Sequence, residues 1–293
     1  MAAESERIGL IAGWGRFPIV TAQALKRGGY AVYCLGLHGH ADPVLAEICD
    51  HYQPIGVARI GGHIRYFRRH GVKTAIMAGK LFKHKLLFGR WGWLGLIPDF
   101  RTMRACFAMY VLRTTSRSDD AMLSLAVQTF AEDGIRLAPA HHFAPELLVK
   151  QGQLTRRGLS AAEWADIRFG WTIAKELGRL DVGQSVAVKG RAILAVEAVE
   201  GTDECIRRAG ALCRQGGFTV VKVAKPQQDM RFDVPAIGTG TIETLHAAGA
   251  RVLAIEAEKT IVIDQPEVIR LADKLGLIIQ AVDPAELARS AAA

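Results

Sequence analysis

The densest group of polar side chains in the sequence lies in the run Lys222–Pro235, KVAKPQQDMRFDVP, which follows a predicted strand. The two prolines in this run favour a loop, and open α/β sheets bind ligands at the loops that follow the carboxyl ends of their strands. Lys222, Lys225 and Arg231 can neutralise a diphosphate, because ammonium and guanidinium groups donate charge-assisted hydrogen bonds to phosphate oxygens. The alternative is an ordinary polar surface loop.

The same loop carries two carboxylates, Asp229 and Asp233. Carboxylate oxygens are ligands that Mg²⁺ prefers in proteins, and a bound Mg²⁺ would polarise a phosphoryl oxygen and could position the attacking water. We therefore predict that Asp229 and Asp233 bind magnesium. Other acids follow other predicted strands, and the sequence does not choose among Glu197, Glu200, Glu256, Glu258 and Asp264.

Two glycine turns stand between a predicted strand and a predicted helix, where backbone N–H groups and the helix dipole favour an anion. In Gly13-Trp14-Gly15, Pro18 replaces the third glycine of the dinucleotide fingerprint, so we predict a nucleotide-facing loop rather than an NAD site. The alternative is a simple tight turn. In the turn that begins at Gly201, Thr202 is a predicted N-cap. Asp203 complements the dipole, holds a ribose or sugar hydroxyl, or is bridged to a bound phosphate by a divalent cation.

Strands and helices alternate along the first half of the chain, which predicts a parallel, Rossmann-like α/β domain. Its predicted strands are 7–12, 30–35 and 73–78, and its predicted helices are 17–26, 60–70, 101–112 and 119–132. A second, mixed α/β domain follows, with strands at 185–189, 192–198, 219–223, 252–256 and 260–263 and helices at 161–177, 202–213, 241–248 and 266–275. We predict an N-terminal nucleotide-sugar-binding domain at 1–138, a linker at 139–160 and a C-terminal catalytic domain at 161–293.

Positive charge is concentrated in the first half of the chain. The 293 residues carry a formal net charge of +8, and the stretch Arg59–Arg117 holds 13 basic residues and one acid, Asp99. Such a stretch attracts nucleic acid, a phosphorylated substrate or an anionic lipid surface, unless it is only a solvated basic face. Since no nucleic-acid-binding motif accompanies it, we expect no nucleic-acid partner.

Within this stretch, Leu81–Phe100 mixes basic residues with Trp91, Trp93 and other apolar side chains. This composition is typical of a surface that touches anionic headgroups, and the alternative is a buried aromatic helix pair. The chain has no long apolar run, begins with the polar MAAESER and scatters its five cysteines without a CxxC pair. We therefore expect a cytoplasmic protein with reduced thiols that associates peripherally with a membrane surface.

Several motifs resemble those of UDP-2,3-diacylglucosamine pyrophosphatases of the LpxI type. They are GLIAGWGRFP near the start, AGK at Ala78–Lys80, SDDAML at Ser118–Leu123, GRLDVGQSVAVKG at Gly178–Gly190, LAVEAVEGTD at Leu194–Asp203 and KVAKPQQDMRFDVPAIG at Lys222–Gly238. The resemblance covers nearly the whole chain and is strongest in the C-terminal half, although Leu81–Phe100 is more basic and aromatic than is typical.

The resemblance implies two domains with the substrate between them, and Mg²⁺-dependent hydrolysis of an acylated UDP-glucosamine to UMP and 2,3-diacylglucosamine 1-phosphate in lipid A synthesis. It implies that Asp233, in the motif R-x-D-x-P, is essential for turnover. Lys225, Gln228 and Arg231 are its neighbours in the motif, and we predict catalytic roles for Lys225 and Arg231 from their charge. The residues predicted to bind substrate are Gly13, Trp14, Gly15, Gly79, Lys80, Asp120, Thr202, Asp203, Lys222 and Gln228. A non-catalytic UDP-sugar-binding or regulatory protein is the alternative, and assembly into a homo-oligomer is left open.

Overall fold

A computed structural model describes residues 5–80, 98–104, 119–231, 234–285 and 287, with the backbone alone for 119–123. The chain divides into two compact units, Met1–Pro145 and Glu146–Ala293. Each unit has its own sheet and its own hydrophobic core. The predicted α/β class with two domains is confirmed.

The first unit alternates strands and helices from its start. Its strands are β1 (Arg7–Ala12), β2 (Ala31–Leu37), β3 (His51–Ile55), β4 (Thr74–Ala78) and β5 (Arg136–Leu137). Its helices are α1 (Arg16–Arg27), α2 (Leu45–Ile48), α3 (Ile60–Arg69) and α4 (Asp119–Glu132). A short 3₁₀ helix follows at Ala140–His142.

The five strands of the first sheet are all parallel and lie in the order β3-β2-β1-β4-β5. The central strand β1, RIGLIA, is buried over nearly its whole length, as is typical of a parallel sheet covered on both faces. The chain moves outward from β1 to β3 and then places β4 on the other side of β1. This reversal creates a topological switch point between β1 and β4, which is where doubly wound sheets bind ligands.

The second unit is built around a larger, mixed sheet. Its strands are β6 (Gly152–Gln153), β7 (Ser185–Lys189), β8 (Ala192–Val196), β9 (Phe218–Lys222), β10 (Ala236–Ile237), β11 (Ala250–Glu256), β12 (Ile261–Val262) and β13 (Ile278–Val282). Its helices are α5 (Ala161–Arg179), α6 (Thr202–Leu212), α7 (Thr239–Ala247) and α8 (Gln265–Lys274), and a 3₁₀ helix lies at Pro145–Leu147.

Six strands form this sheet in the order β6-β13-β11-β9-β7-β8, while β10 and β12 pair separately. Strands β9, β11 and β13 are parallel, whereas β7 runs antiparallel to both β9 and β8. The carboxyl ends of β8, β9 and β11 therefore meet at one edge of the sheet, together with the start of β7. Apolar residues of α5 pack on one face, and those of α6, α7 and α8 join a separate core cluster.

Helix α5 begins where its sequence provides a capping box. The backbone N–H of Glu163 donates to Ser160 Oγ at 3.3 Å, and the N–H of Ser160 donates to Glu163 Oε2 at 2.7 Å. The capping box satisfies backbone donors at the start of α5 that have no partner within the helix.

Most predicted elements are present, with ends shifted by one or two residues. Strands β3 and β13 were missed, as were the short strands β5, β6 and β10 and the short helix α2, and the strand predicted at 192–198 ends at Val196. Thr202 was wrongly predicted as an N-cap: it is the first residue of α6, and Gly201 is the N-cap residue. Gly201 has a φ of 85°, a conformation that favours glycine over threonine.

The stretch predicted as a linker, 139–160, contains two 3₁₀ helices and β6, and β6 pairs with β13 of the second sheet. Most of Leu81–Phe100 and of the helix predicted at 101–112 lies outside the described residues. Among the described residues, every helix is too short or too polar to span a lipid bilayer.

Candidate functional site

Four polar side chains meet at the carboxyl edge of the second sheet. Lys222 ends β9, and Ser185, at the start of β7, is its cross-strand partner. Glu197 directly follows β8, and Thr202 begins α6. The group is therefore assembled by the strand order rather than by closeness in sequence.

The hydroxyl of Thr202 links this group. It donates to Glu197 Oε1 at 3.0 Å and accepts from Lys222 Nζ at 3.2 Å. Since its single proton goes to Glu197, Ser185 Oγ, 3.4 Å away, acts as a donor to it. Lys222 Nζ also donates to the carbonyl of Ala236 at 3.3 Å. A buried ammonium is costly unless it is hydrogen-bonded, so these contacts allow Lys222 to lie buried in the sheet edge.

Glu197 is buried, and its second oxygen, Oε2, has no hydrogen-bond partner among the described residues. Because buried polar atoms are nearly always bonded, this oxygen marks a place where a water, a metal ion or a ligand donor can bind. Gly183 allows the chain to pass close by, since a Cβ there would lie 2.1 Å from the Glu197 carbonyl oxygen. Any side chain at Gly183 would therefore displace Glu197.

A buried ion pair fixes the start of the loop that follows β9. Glu256 ends β11, and its Oε2 accepts from Lys175 Nζ at 2.6 Å and from the backbone N–H of Ala224 at 2.8 Å. Lys175, on α5, also donates to the Ala224 carbonyl at 2.9 Å and lies 5.7 Å from the centroid of the Trp171 ring. Both backbone polar groups of Ala224 are thus held, which sets the direction in which the chain leaves β9.

The next part of the loop is anchored to the end of α5. Lys225 Nζ donates to Asp181 Oδ1 at 2.6 Å, and the backbone N–H of Lys225 donates to Gln228 Oε1 at 2.8 Å. A Cβ on Gly178 would lie 3.2 Å from the Cα of Lys225, so the glycine permits this close approach. Gln228 therefore shapes the loop in addition to any contact with a ligand.

Asp229 and Arg231 form an ion pair in the same loop. Arg231 Nε donates to both carboxylate oxygens, at 2.8 and 3.0 Å, and its Nη2 contacts Oδ2. Hydrogen bonding between them lowers the pKa of Asp229 and raises the pKa of Arg231. Arg231 would have to release the Asp229 carboxylate before a metal ion could take its place.

The described residues do not complete the predicted magnesium site. Within the described ranges, no group of three or more His, Cys, Asp or Glu side chains is placed to hold a metal ion. The other predicted ligand, Asp233, lies outside the described residues.

In the first unit, the predicted nucleotide-facing turn lies at the switch point of the sheet. The N–H of Gly13 donates to the Ala78 carbonyl at 2.8 Å, and Trp14 and Lys80 exchange two backbone hydrogen bonds of 2.9 Å. Gly79 has a φ of +97°, and a Cβ there would lie 2.8 Å from the carbonyl carbon of Gly13. The structure thus brings the predicted turn next to Gly79 and Lys80, and glycine at position 79 permits this contact.

An anion at this turn would have to use the start of α1, because the N–H groups of Gly13 and Trp14 already bond to carbonyls. The N-cap residue of α1 is Gly15, with a φ of 104°, and the first helical turn contains no acidic residue. The dipole of α1 is therefore not neutralised by an acid of its own first turn. The side chain of Trp14 is exposed beside this helix start.

The remaining predicted residues have less specific surroundings. Asp203 is exposed in the first turn of α6, and Asp120 belongs to α4, in the other unit, with its side chain outside the described set. Three of the five acids among which the sequence did not choose have other roles. Glu200 pairs with Arg208, Glu258 pairs with Lys150, and Asp264 is the N-cap residue of α8. Glu197 and Glu256 are the two that lie buried in the candidate site.

Sequence reasoning missed three side chains that shape this site, Ser185, Lys175 and Asp181. Ser185 and Asp181 lie within the motif GRLDVGQSVAVKG, so that motif contained a signal. Lys175 is one of several charged residues on α5, and its partner Glu256 is 81 residues away. No local pattern connects those two residues.

Two family models together match both units of the chain. Residues 7–147 match the LpxI N-terminal domain, and residues 150–280 match the LpxI C-terminal domain. The chain is also 32% identical over 290 residues to a protein of Caulobacter vibrioides named UDP-2,3-diacylglucosamine pyrophosphatase LpxI. That alignment covers 96% of this chain and 99% of the Caulobacter protein.

Among solved structures, the chain is similar to CobK precorrin-6A reductase, with a TM-score of 0.31 and 13% identity over 95% of this chain and 88% of that chain. It is also similar to a biotin carboxylase from Campylobacter jejuni, with a TM-score of 0.22 and 16% identity over 72% and 43% of the two chains. TM-scores this low carry no argument about function. The two domain models and the Caulobacter relative, by contrast, extend over both units, and the chain belongs to the LpxI family.

Proposed function

We propose that this protein hydrolyses the pyrophosphate of UDP-2,3-diacylglucosamine to UMP and 2,3-diacylglucosamine 1-phosphate, a step in lipid A biosynthesis. The observation that carries the proposal is the 32% identity, over nearly the full length of both chains, to the Caulobacter vibrioides protein named for that activity. In the reaction, a water oxygen bonds to one phosphorus while the bond from that phosphorus to the bridging oxygen breaks. The bridging oxygen leaves with the other phosphate, and the protons of the water are released.

The charge at the carboxyl edge of the second sheet supports this reaction class. Lys222, Lys225 and Arg231 all belong to the end of β9 and the loop after it. Because Lys222 is already oriented by Thr202, it would meet a phosphate oxygen with little further loss of side-chain freedom. Lys225 and Arg231 are held by acids, so their contacts with a diphosphate would require those pairs to open or to be shared.

Magnesium is part of the proposal and depends on Asp233, the residue that the family resemblance makes essential. When bound, the ion would neutralise charge on the phosphoryl oxygens. Glu197 Oε2, which has no partner among the described residues, could coordinate such an ion directly or through a water. Asp229 would contribute only after release from Arg231.

The experiment that tests the function is UMP release from UDP-2,3-diacylglucosamine by the purified protein, with Mg²⁺ and with a chelator. We expect Asp233→Ala to abolish release. We expect Lys222→Met to lower kcat/KM about 10²-fold, which corresponds to loss of one charge-assisted contact worth roughly 3 kcal/mol. Lys259→Met is the matched control, because Lys259 is exposed in the same unit. Substrate binding without UMP release by the unaltered protein would favour the non-catalytic alternative.

The same proposal places the protein in the cytoplasm, at the surface of the inner membrane, where an acylated substrate resides. The basic stretch Arg59–Arg117 supports attraction to anionic headgroups. Flotation with phosphatidylglycerol vesicles at low salt tests this placement, and a protein that stays at the bottom of the gradient contradicts it. Sedimentation in the same buffer would test for a homo-oligomer.

A further inference from the structure

A cavity of about 1020 Å³ lies in the first unit, between the edge strand β3 and the helix α3. Its walls include three arginines, Arg59, Arg65 and Arg69, together with Tyr66 and Ile55. The residues after β2 and β3 contribute to it, so it opens at the carboxyl edge of the sheet. Strand β3 is two strands from β1, which puts the cavity roughly 10 Å from the glycine turn at the switch point.

The positive charge in this cavity is not compensated within the described part of the chain. None of Arg59, Arg65 and Arg69 has an ion-pair or side-chain hydrogen-bond partner there, although Arg68 on the same helix pairs with Asp133 at 3.2 Å. Arg65 and Arg69 are four residues apart on α3, so their side chains are neighbours and repel each other. A bound anion reduces the electrostatic repulsion among positive charges that surround a concave surface.

The N-terminus of α3 does not itself provide the anion site. The N–H of Ile60 donates to Thr102 Oγ1 at 3.0 Å, and the N–H of Gly62 donates to Asp99 Oδ2 at 2.8 Å. These bonds satisfy donors at the helix start. The attraction for an anion therefore comes from the three guanidinium groups.

Tyr66 forms an apolar part of the cavity wall. Its side chain is 8% exposed and lines the cavity, whereas its hydroxyl has almost no accessible surface and has no hydrogen-bond partner among the described residues. A ligand in the cavity would therefore meet the ring of Tyr66 and not its hydroxyl, and the polar contacts would come from the arginines.

We propose that this cavity binds a phosphate-bearing ligand, with the guanidinium groups of Arg59, Arg65 and Arg69 donating to phosphate oxygens. Arginine is suited to this role because its planar fork donates two parallel hydrogen bonds to a phosphate. The site goes beyond the proposed hydrolysis, because none of the three arginines is among the residues predicted to bind or convert the substrate. The phosphate has two sources to distinguish, the headgroup of an anionic phospholipid and a soluble phosphate ester.

The test uses the full chain and two triple variants of equal charge. Arg59→Gln, Arg65→Gln and Arg69→Gln together remove the charge of the cavity, whereas Arg68→Gln, Lys73→Gln and Arg136→Gln remove the same charge from exposed positions elsewhere in the unit. Binding is measured by flotation with phosphatidylglycerol vesicles and by calorimetric titration with inorganic pyrophosphate. UMP release is measured separately and does not enter the binding readout.

We expect the cavity variant to lose at least about tenfold in affinity for whichever probe the wild type binds, as removal of one charge-assisted contact already predicts. The control variant should lose much less, because its three charges lie outside the cavity. Binding of vesicles alone assigns the site to a headgroup, and binding of pyrophosphate alone assigns it to a soluble ester. Absence of wild-type binding to both probes, or equal losses in the two triple variants, would overturn the proposal.

Discussion

Replacing Glu256 by Gln tests how the loop after β9 is held. The Oε2 atom of Glu256 accepts from Lys175 Nζ at 2.6 Å and from the Ala224 N–H at 2.8 Å, and its side chain is 5% exposed. Gln keeps the shape and can still accept from Ala224, but it removes the charge that compensates Lys175. The substitution therefore changes the electrostatics of the pair more than its packing.

The size of the effect follows from the burial of the two partners. Breaking a fully buried pair costs about 3–5 kcal/mol, and an exposed pair contributes about 0–1 kcal/mol. Lys175 is 26% exposed, keeps its bond to the Ala224 carbonyl and lies near Trp171. We therefore expect Glu256→Gln to lower the free energy of unfolding by about 2 kcal/mol, between those limits.

Urea unfolding of the full chain measures this change, using the midpoint of the transition that reports the second unit. Lys175→Met and the double variant complete a mutant cycle, in which we expect a coupling free energy above about 1 kcal/mol, as for residues in one network. A loss below about 0.5 kcal/mol for Glu256→Gln, with no coupling to Lys175, would refute the idea that this pair holds the loop.

Three further changes probe other parts of the structure. Gly183→Ala would place a Cβ 2.1 Å from the Glu197 carbonyl, so we expect a lower melting temperature and reduced UMP release, and unchanged values for both would contradict the assigned role of Gly183. Burial lowers the pKa of His63 to about 4 from 6.5, so the unfolded chain binds a proton between these values that the folded chain does not. Stability should therefore fall by about 3 kcal/mol as the pH drops from 6.5 to 4, and urea titrations of His63→Gln should show a smaller pH dependence. Because Arg231 lowers the pKa of Asp229, Arg231→Gln should raise it toward the ordinary carboxyl value in a titration followed by NMR, and an unchanged pKa would argue against the pair.

The positions of strands and helices were largely predictable, because apolar periodicity and glycine turns are local signals. Strand β1, RIGLIA, and helix α4 have the predicted bounds. Strand β3, HYQPI, was missed because it is an edge strand with polar residues and a proline, which edges tolerate and sheet centres do not. Strand β13 is a short apolar run, and such runs do not distinguish a buried strand from a helix segment by periodicity.

The candidate site was predictable in its location but not in its contacts. The loop after β9 was identified from its composition, and Lys222 and Thr202 do meet. The roles of Ser185 and Lys175 depend on the pairing of β7 with β9 and of α5 with the end of β11. Those contacts join residues far apart in sequence, so composition and spacing do not reveal them.

The engagement of Asp229 with Arg231 was also not visible in the sequence. The two residues were assigned separately, one to a metal and the other to a phosphate, because each side chain has the chemistry for that role. In the structure they bind each other. Opposite charges that lie close together in the sequence can bind each other instead of a ligand. Only the geometry shows which of the two occurs.

The most direct test of the proposed activity is phosphorus NMR of UDP-2,3-diacylglucosamine incubated with the pure protein and Mg²⁺. The diphosphate signals should be replaced by two phosphomonoester signals of equal intensity, those of UMP and of the acylated sugar 1-phosphate. The Asp233→Ala protein should leave the diphosphate intact. Persistence of the diphosphate with the unaltered, folded protein would contradict the assignment of this chain as a pyrophosphatase.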